Sequence, residues 1–167
     1  MLTPTILNVV LPFYAVGHTP AVTLTRNVPQ GVDADILLLG SGDIRHILYT
    51  AYHEKGLPTR KLDITSCDLE DAIIARKVLF LTFLVTRGME AEPQLFWNVY
   101  YHLFLDEESA QVLQSHLVRL VAASSSPKDW RESEFGGNFR FGTVSTLSSV
   151  RRIWHAYLES LRRTDHD

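Results

Sequence analysis

The spacing of apolar residues changes twice along the chain. Residues 34–39 (ADILLL) form a continuous apolar run that stops at Gly40, the pattern of a strand buried on both faces in a parallel sheet. From Asp43 to Glu54 the spacing becomes helical. Ile44, Ile47, Leu48 and Ala51 share one stripe, Asp43 is placed to cap it, and Gly56 and Pro58 end it. Residues 61–67 (KLDITSC) are β-branched and partly alternating, a second strand. The acids Asp68, Glu70 and Asp71 then suit the start of a helix over 69–86. That helix is apolar on nearly every face, predicting deep burial, and Gly88 stops it.

Beyond residue 88 the alternation of strand and helix gives way to helices. Residues 93–105 (PQLFWNVYYHLFL) read as a helix with Pro93 in its first turn. Asp106 caps a helix over 107–122 with Ala110, Leu113, Leu117, Leu120 and Val121 on its stripe. Residues 124–127 read as a loop, and 135–142 as turns around a short strand at 139–141. Ser145 caps a last helix that places Leu147, Val150, Ile153, Trp154, Tyr157, Leu158 and Leu161 on one face. Upstream, Pro4, Pro12, Gly17, Pro20, Pro29 and Gly31 favour extended segments and turns. The expected class is α/β: a partial Rossmann-like parallel sheet with a helical C-terminal half. Its parts are an extended segment at 1–33, a βαβα core at 34–88, a helical part of the same domain at 89–163 and a polar tail at 164–167.

Composition narrows the function classes. The 167 residues suit one domain, and 46% hydrophobic residues suffice for a core. A net charge of −3 offers no global attraction to phosphate backbones or anionic lipid, so neither nucleic acid nor membrane is an expected partner. One cysteine, Cys67, builds neither a disulfide framework nor a structural zinc site, and fits a reducing compartment. The apolar start lacks a basic region, and Pro4 and Pro12 interrupt it, unlike a signal peptide. The longest apolar run, 72–85, contains Arg76 and Lys77 and is shorter than the ~20 residues of a membrane span. A soluble, cytoplasmic protein is expected. The seven histidines, His18, His46, His53, His102, His116, His155 and His166, never pair at helical ligand spacing, so no metal site is expected.

Candidate chemistry gathers at Leu37-Leu38-Leu39-Gly40-Ser41-Gly42-Asp43, a strand, a glycine turn and a helix start. Glycines there let a ligand approach the backbone, and a helix N-terminus offers free N–H groups. Asp68 follows at the end of the second strand, where dinucleotide folds place a ribose-binding acid. The candidate cofactor-binding residues are therefore Gly40, Ser41, Gly42, Asp43 and Asp68, with Gly17, His18, Thr19 and His46 as pocket lining and no catalytic residue assigned. The loop departs from its templates. Leu38 stands where a methyltransferase-type acid belongs, Ile44 where its third glycine belongs, and Arg45 where a dinucleotide loop has its third glycine. The alternative is that Gly40 and Gly42 only shape a turn. Cys67 is expected as a buried structural thiol, and Arg76 as the partner of Asp68 or Asp71. Trp97, Tyr100, Tyr101 and Phe104 are expected in the core, and Arg151, Arg152, Arg162 and Arg163 on a solvated helix face.

Three segments carry a resemblance: Phe13-Tyr14-Ala15-Val16-Gly17-His18-Thr19-Pro20-Ala21, the stretch from Asp35 to Leu48, and Cys67-Asp68-Leu69-Glu70 with Ile74-Ala75-Arg76. Together with Thr146-Leu147, Trp154 and Tyr157 they resemble a domain of unknown function. That domain heads many fungal proteins with MYND-type zinc fingers and is related to the N-terminal region of dynein axonemal assembly factors. His18 replaces the usual Asn of one turn, and one cysteine cannot supply a MYND finger. The resemblance implies a methyltransferase-like Rossmann fold without an established activity, in a chain shorter than its relatives. It leaves half a cofactor pocket, with the sheet edge covered by the N-terminal segment, by 139–141 or by another chain. The expected function is a non-catalytic interaction or assembly-factor domain. Its partner would be another protein, the C-terminal portion of a longer homologue or a second copy. The alternative is an S-adenosylmethionine-dependent methyltransferase or a fragment of one, and S-adenosylmethionine is the cofactor that reading requires.

Overall fold

A computed structural model describes residues 17, 19–88, 93–101 and 105–164. The chain divides into two compact units, Met1–Ile73 and Ile74–Asp167. The division falls inside the helix that follows the second strand, whereas the βαβα reading ran on to residue 88.

In the first unit, β1 (Ala34–Leu39) leads through α1 (Arg45–Glu54) to β2 (Leu62–Cys67). The strands are parallel, in register from Ala34 opposite Leu62 to Leu39 opposite Cys67. A parallel pair needs a crossover connection, and α1 supplies it. Asp33 fixes the entry to this pair. Its carboxylate accepts the Lys61 amide at 2.7 Å, and the Ala34 amide donates to Lys61 O at 3.0 Å.

The expectation of a strand buried on both faces is corrected. β1 alternates, with Ala34, Ile36 and Leu38 partly buried and Asp35, Leu37 and Leu39 exposed, the two leucines at 60% and 73%. Successive side chains of a strand point to opposite faces, and among the described residues only one face of this two-stranded sheet is covered. Cys67 shares the open side and is an exposed free thiol, not a buried one. On α1, Ala51 is exposed and Thr50 is buried, so a polar side of the helix turns inward.

The second unit is helical. It contains α2 (Asp71–Arg87, whose first turn precedes the division), α3 (Pro93–Tyr101), α4 (Glu107–Ala123), α5 (Pro127–Glu132) and α6 (Val144–Thr164). Its core joins Ala75 and Leu79 of α2, Leu117 and Leu120 of α4, Trp130 of α5, Phe135, and Leu147, Val150, Trp154 and Leu158 of α6. The α6 members recur at three and four residues, the stripe the sequence displays. Trp130 stacks on Trp154 and Phe135 with ring centres 6.1 and 5.7 Å apart. The buried indole N–H of Trp154 donates to Ala75 O at 3.0 Å. Along α2 burial covers most of the circumference, Lys77 and Thr82 included. Ala75, Leu79, Phe80 and Phe83 are buried, while Val85 is 57% exposed.

Caps and turns account for the other differences from expectation. Asp106 caps α4, its carboxylate accepting the Ser109 amide at 2.7 Å, as expected. Residues 124–127 are not only a loop. Ser126 accepts the Asp129 amide and Pro127 opens α5, the serine–proline start of a short helix. Residues 139–141 form no strand; the Phe139 carbonyl accepts the Trp130 indole N–H at 2.8 Å. Thr143, not Ser145, caps α6, accepting the Thr146 amide at 3.0 Å. Arg76 donates to Tyr100 O at 2.6 Å and lies 4.3 Å from that ring's centre; neither Asp68 nor Asp71 is the group in this contact. Trp97 is 54% exposed, so the aromatic cluster of α3 is only partly core; Phe104 lies outside the described residues.

Candidate functional site

At the end of β1 the Gly40 amide donates to Cys67 O at 2.9 Å, prolonging the parallel ladder to the strand ends. Gly40 then takes φ +61°, a left-handed conformation that favours glycine. Gly42 has no positive φ, and nothing lies within 4 Å of where a Cβ would stand at either glycine. Ser41 Oγ donates to Asp43 O at 3.1 Å. Ile44, which replaces the third methyltransferase-type glycine, is 1% exposed.

Asp43 forms the centre of a clasp. Its Oδ1 accepts the Arg45 amide at 2.9 Å, so it serves the first turn of α1 from one position before the capping residue, Ile44. Its Oδ2 accepts from Arg45 Nε at 2.6 Å and from the Gly17 amide. The Arg45 guanidinium also donates to Gly17 O at 2.6 Å and Thr19 O at 2.9 Å. Burial raises the Asp43 pKa, but the N–H groups of Gly17 and Arg45 and the Arg45 charge outweigh it and hold the carboxyl below its usual value.

The same lacing continues along α1. His46 Nδ1 accepts the Val22 amide at 3.2 Å, which places the ring proton on Nε2 in the neutral form. Thr50 Oγ1 accepts the Leu24 amide at 2.9 Å and donates to His46 O at 2.7 Å. Glu54 accepts from Thr25 Oγ1 at 2.6 Å and from Arg60 at 2.7 and 2.6 Å. Those bonds, the Arg60 one foremost, lower the Glu54 pKa to about 2. Arg60 also donates to the carbonyls of Pro29 and Val32. Positions 46, 50 and 54 follow helical spacing, so one polar stripe of α1 holds Val22, Leu24 and Thr25, while Arg60 holds Pro29 and Val32.

The structure therefore brings together Gly17, Thr19, Asp43 and, one turn along, His46. His18 lies outside the described residues. Asp68 follows Cys67, whose carbonyl takes the Gly40 amide, and its own carboxylate accepts the Glu70 amide at 3.2 Å. Sequence reading missed Thr50, Glu54 and Arg60 as members of this network. The polar spacing at 46, 50 and 54 was the available signal. Among the described residues no cluster of His, Cys, Asp or Glu could hold a metal ion. No helix among them is long and apolar enough to cross a membrane.

Against known families, residues 15–105, more than half of the chain, match the family described as Domain of unknown function (DUF4470). The chain belongs to this family. The matched span contains Gly17, the glycine turn, Asp43 and Asp68. The chain is also similar to dynein axonemal assembly factor 3 of Xenopus laevis, 25% identical over 157 residues, covering 83% of this chain and 32% of that protein. The protein of the same name from Xenopus tropicalis is 25% identical over 130 residues, covering 73% of this chain and 29% of its own length. The chain thus spans about a third of these relatives. No solved structure matches.

Proposed function

We propose that this chain is a non-catalytic interaction module, built on a partial methyltransferase-like fold, that serves the assembly of other proteins. The carrying observation is the clasp. The groups beside the glycine turn best suited to hold a polar ligand, the Asp43 carboxylate and the Arg45 guanidinium, are bonded to the chain's own Gly17 and Thr19. The name of the similar Xenopus proteins, an assembly factor, agrees with this reading. So does the open face bearing Leu37 and Leu39, apolar area that a partner could cover. The partner is another protein, the remainder of a longer chain or a second copy. An exposed free Cys67 accords with a reducing, cytoplasmic setting. Calorimetric titration with S-adenosylmethionine tests the reading; no heat is expected, and methyl transfer at enzymatic rates would overturn it.

One observation favours the alternative, a methyltransferase. The glycine turn is open above Gly40 and Gly42, at the end of a parallel strand pair with Asp68 at the neighbouring strand end. On that reading Gly40 and Gly42 meet the amino-acid moiety of S-adenosylmethionine and Asp68 the ribose. Binding that Asp68→Ala abolishes with the fold intact would support it.

A further inference from the structure

In the second unit a cleft of about 310 Å³ is lined by Ser124, Ser125, Ser148, Arg151, Arg152 and His155. No carboxylate and no apolar residue lines it. On α6, positions 148, 151, 152 and 155 follow the three- and four-residue spacing that puts side chains on one helix face. Opposite them lies the end of α4, where terminal carbonyls carry partial negative charge. Those carbonyls are already engaged. Ser124 Oγ donates to Val121 O at 3.2 Å, Ser125 Oγ to Ala122 O at 2.8 Å, and Arg151 Nε to Val121 O at 3.3 Å. The negative helix end is thereby quenched and Arg151 is anchored. Arg152 and His155 form no hydrogen bond or ion pair with the described residues. Two guanidinium groups and an imidazole thus face one recess without a counter-charge.

We infer that this cleft binds the phosphate group of a phosphorylated serine or threonine on a partner protein. Donors from Arg151, Arg152, His155 and Ser148 outnumber what the two oxygens of a planar carboxylate take up, whereas a phosphate ester presents three acceptor oxygens. A membrane surface fits less well. Glu159 stands exposed one turn beyond His155, where it would repel an anionic surface. The choice of a protein partner rests on the interaction reading above; the phosphate site itself does not.

The test is an amide chemical-shift titration of the purified chain with four probes. These are inorganic phosphate, an alanine pentapeptide with a central phosphoserine, its unphosphorylated twin, and vesicles of phosphatidylserine with phosphatidylcholine. Saturable shifts at Ser148, Arg152 and His155 are expected with phosphate and more tightly with the phosphopeptide, and none with the twin. Arg152→Glu should weaken phosphopeptide binding about tenfold or more, the loss of a charge-assisted contact, with Arg152→Lys recovering part of it. Arg152 is exposed, so an unchanged melting temperature certifies the variants. Absence of saturable shifts at these residues overturns the site. Phosphate binding without phosphopeptide binding, or vesicle binding without it, overturns the partner. Neither result alters the outcome of the S-adenosylmethionine titration, so failure here is separable from failure of the proposed function.

Discussion

Replacing Asp43 by alanine removes the centre of the clasp. The carboxylate, in a residue only 3% exposed, accepts three N–H groups, from Gly17, from the Arg45 amide and from Arg45 Nε. Removing one partner of a buried ion pair costs about 3–5 kcal/mol. The Arg45 side chain is 24% exposed and keeps its bonds to Gly17 O and Thr19 O, so the low end applies, about 3 kcal/mol. A loss of that size lowers the melting temperature of a chain this long by roughly 6–12 °C. Urea unfolding followed by far-UV circular dichroism measures the total. Amide exchange at Val22 and Leu24, whose N–H groups bond to His46 and Thr50, measures where protection goes first.

The same variant tests the pH linkage. The folded carboxyl titrates below its unfolded value, so its stabilisation is complete above the unfolded pKa and is lost as pH falls through the folded one. Wild-type stability should therefore drop on acidification below roughly pH 4, and Asp43→Ala should lack that share of the slope. A stability loss under about 1 kcal/mol, the value of an exposed pair, with exchange at Val22 and Leu24 unchanged, would refute the clasp.

Other outcomes follow from single positions. Gly40→Ala should cost about 1–2 kcal/mol because φ is +61°, whereas Gly42→Ala should stay within about 0.5 kcal/mol, both read by urea midpoint. Gly136→Ala should be worse, about 3 kcal/mol, because its Cβ would stand 2.4 Å from Trp130 O and 2.5 Å from Arg131 O, backbone atoms that cannot swing aside. His116 is buried, and burial, with Arg119 adding to it, lowers its pKa to about 4. The neutral ring stabilises fully above the unfolded value near 6.5 and loses about 3 kcal/mol as pH falls to the folded one. His116→Gln should flatten that part of the stability curve, and an equally steep curve in the variant would exclude His116 as its source.

What the sequence made legible was periodicity. The run at 34–39, the stripe of α6 and the Asp106 cap depend on neighbours within one or two turns, and each appears at the expected place. Exposure of β1 was not legible, because a run such as ADILLL does not state how many layers will cover it. Nor was the clasp, since Gly17 and Asp43 meet across 26 positions and no local pattern pairs them. The start of α5 was legible and overlooked: serine, proline and an acid three residues after the serine mark a helix N-terminus. At Arg76 the sequence offered nearby carboxylates, while the fold supplied a carbonyl and a ring from α3.

The segments around Gly17 and Asp43 carried the family resemblance, and the clasp gives them a physical reason that needs no ligand. A Cβ on Gly17 would stand 2.9 Å from an Arg45 guanidinium nitrogen and 3.0 Å from Asp43 Oδ2. Glycine at 17, a carboxylate at 43 and a forked cation at 45 are therefore one requirement, not three. Arginine is needed because one guanidinium reaches Asp43, Gly17 O and Thr19 O together, which a lysine point charge cannot do. Gly17→Ala should accordingly destabilise the first unit by about 1–3 kcal/mol, through crowding of atoms held in place by their own bonds. Were Gly17 required only to admit a cofactor, the alanine variant would melt like the wild type and differ solely in ligand binding. Thermal unfolding of this one variant without ligand separates the two roles, and an unshifted melting temperature would remove the structural explanation of the motif.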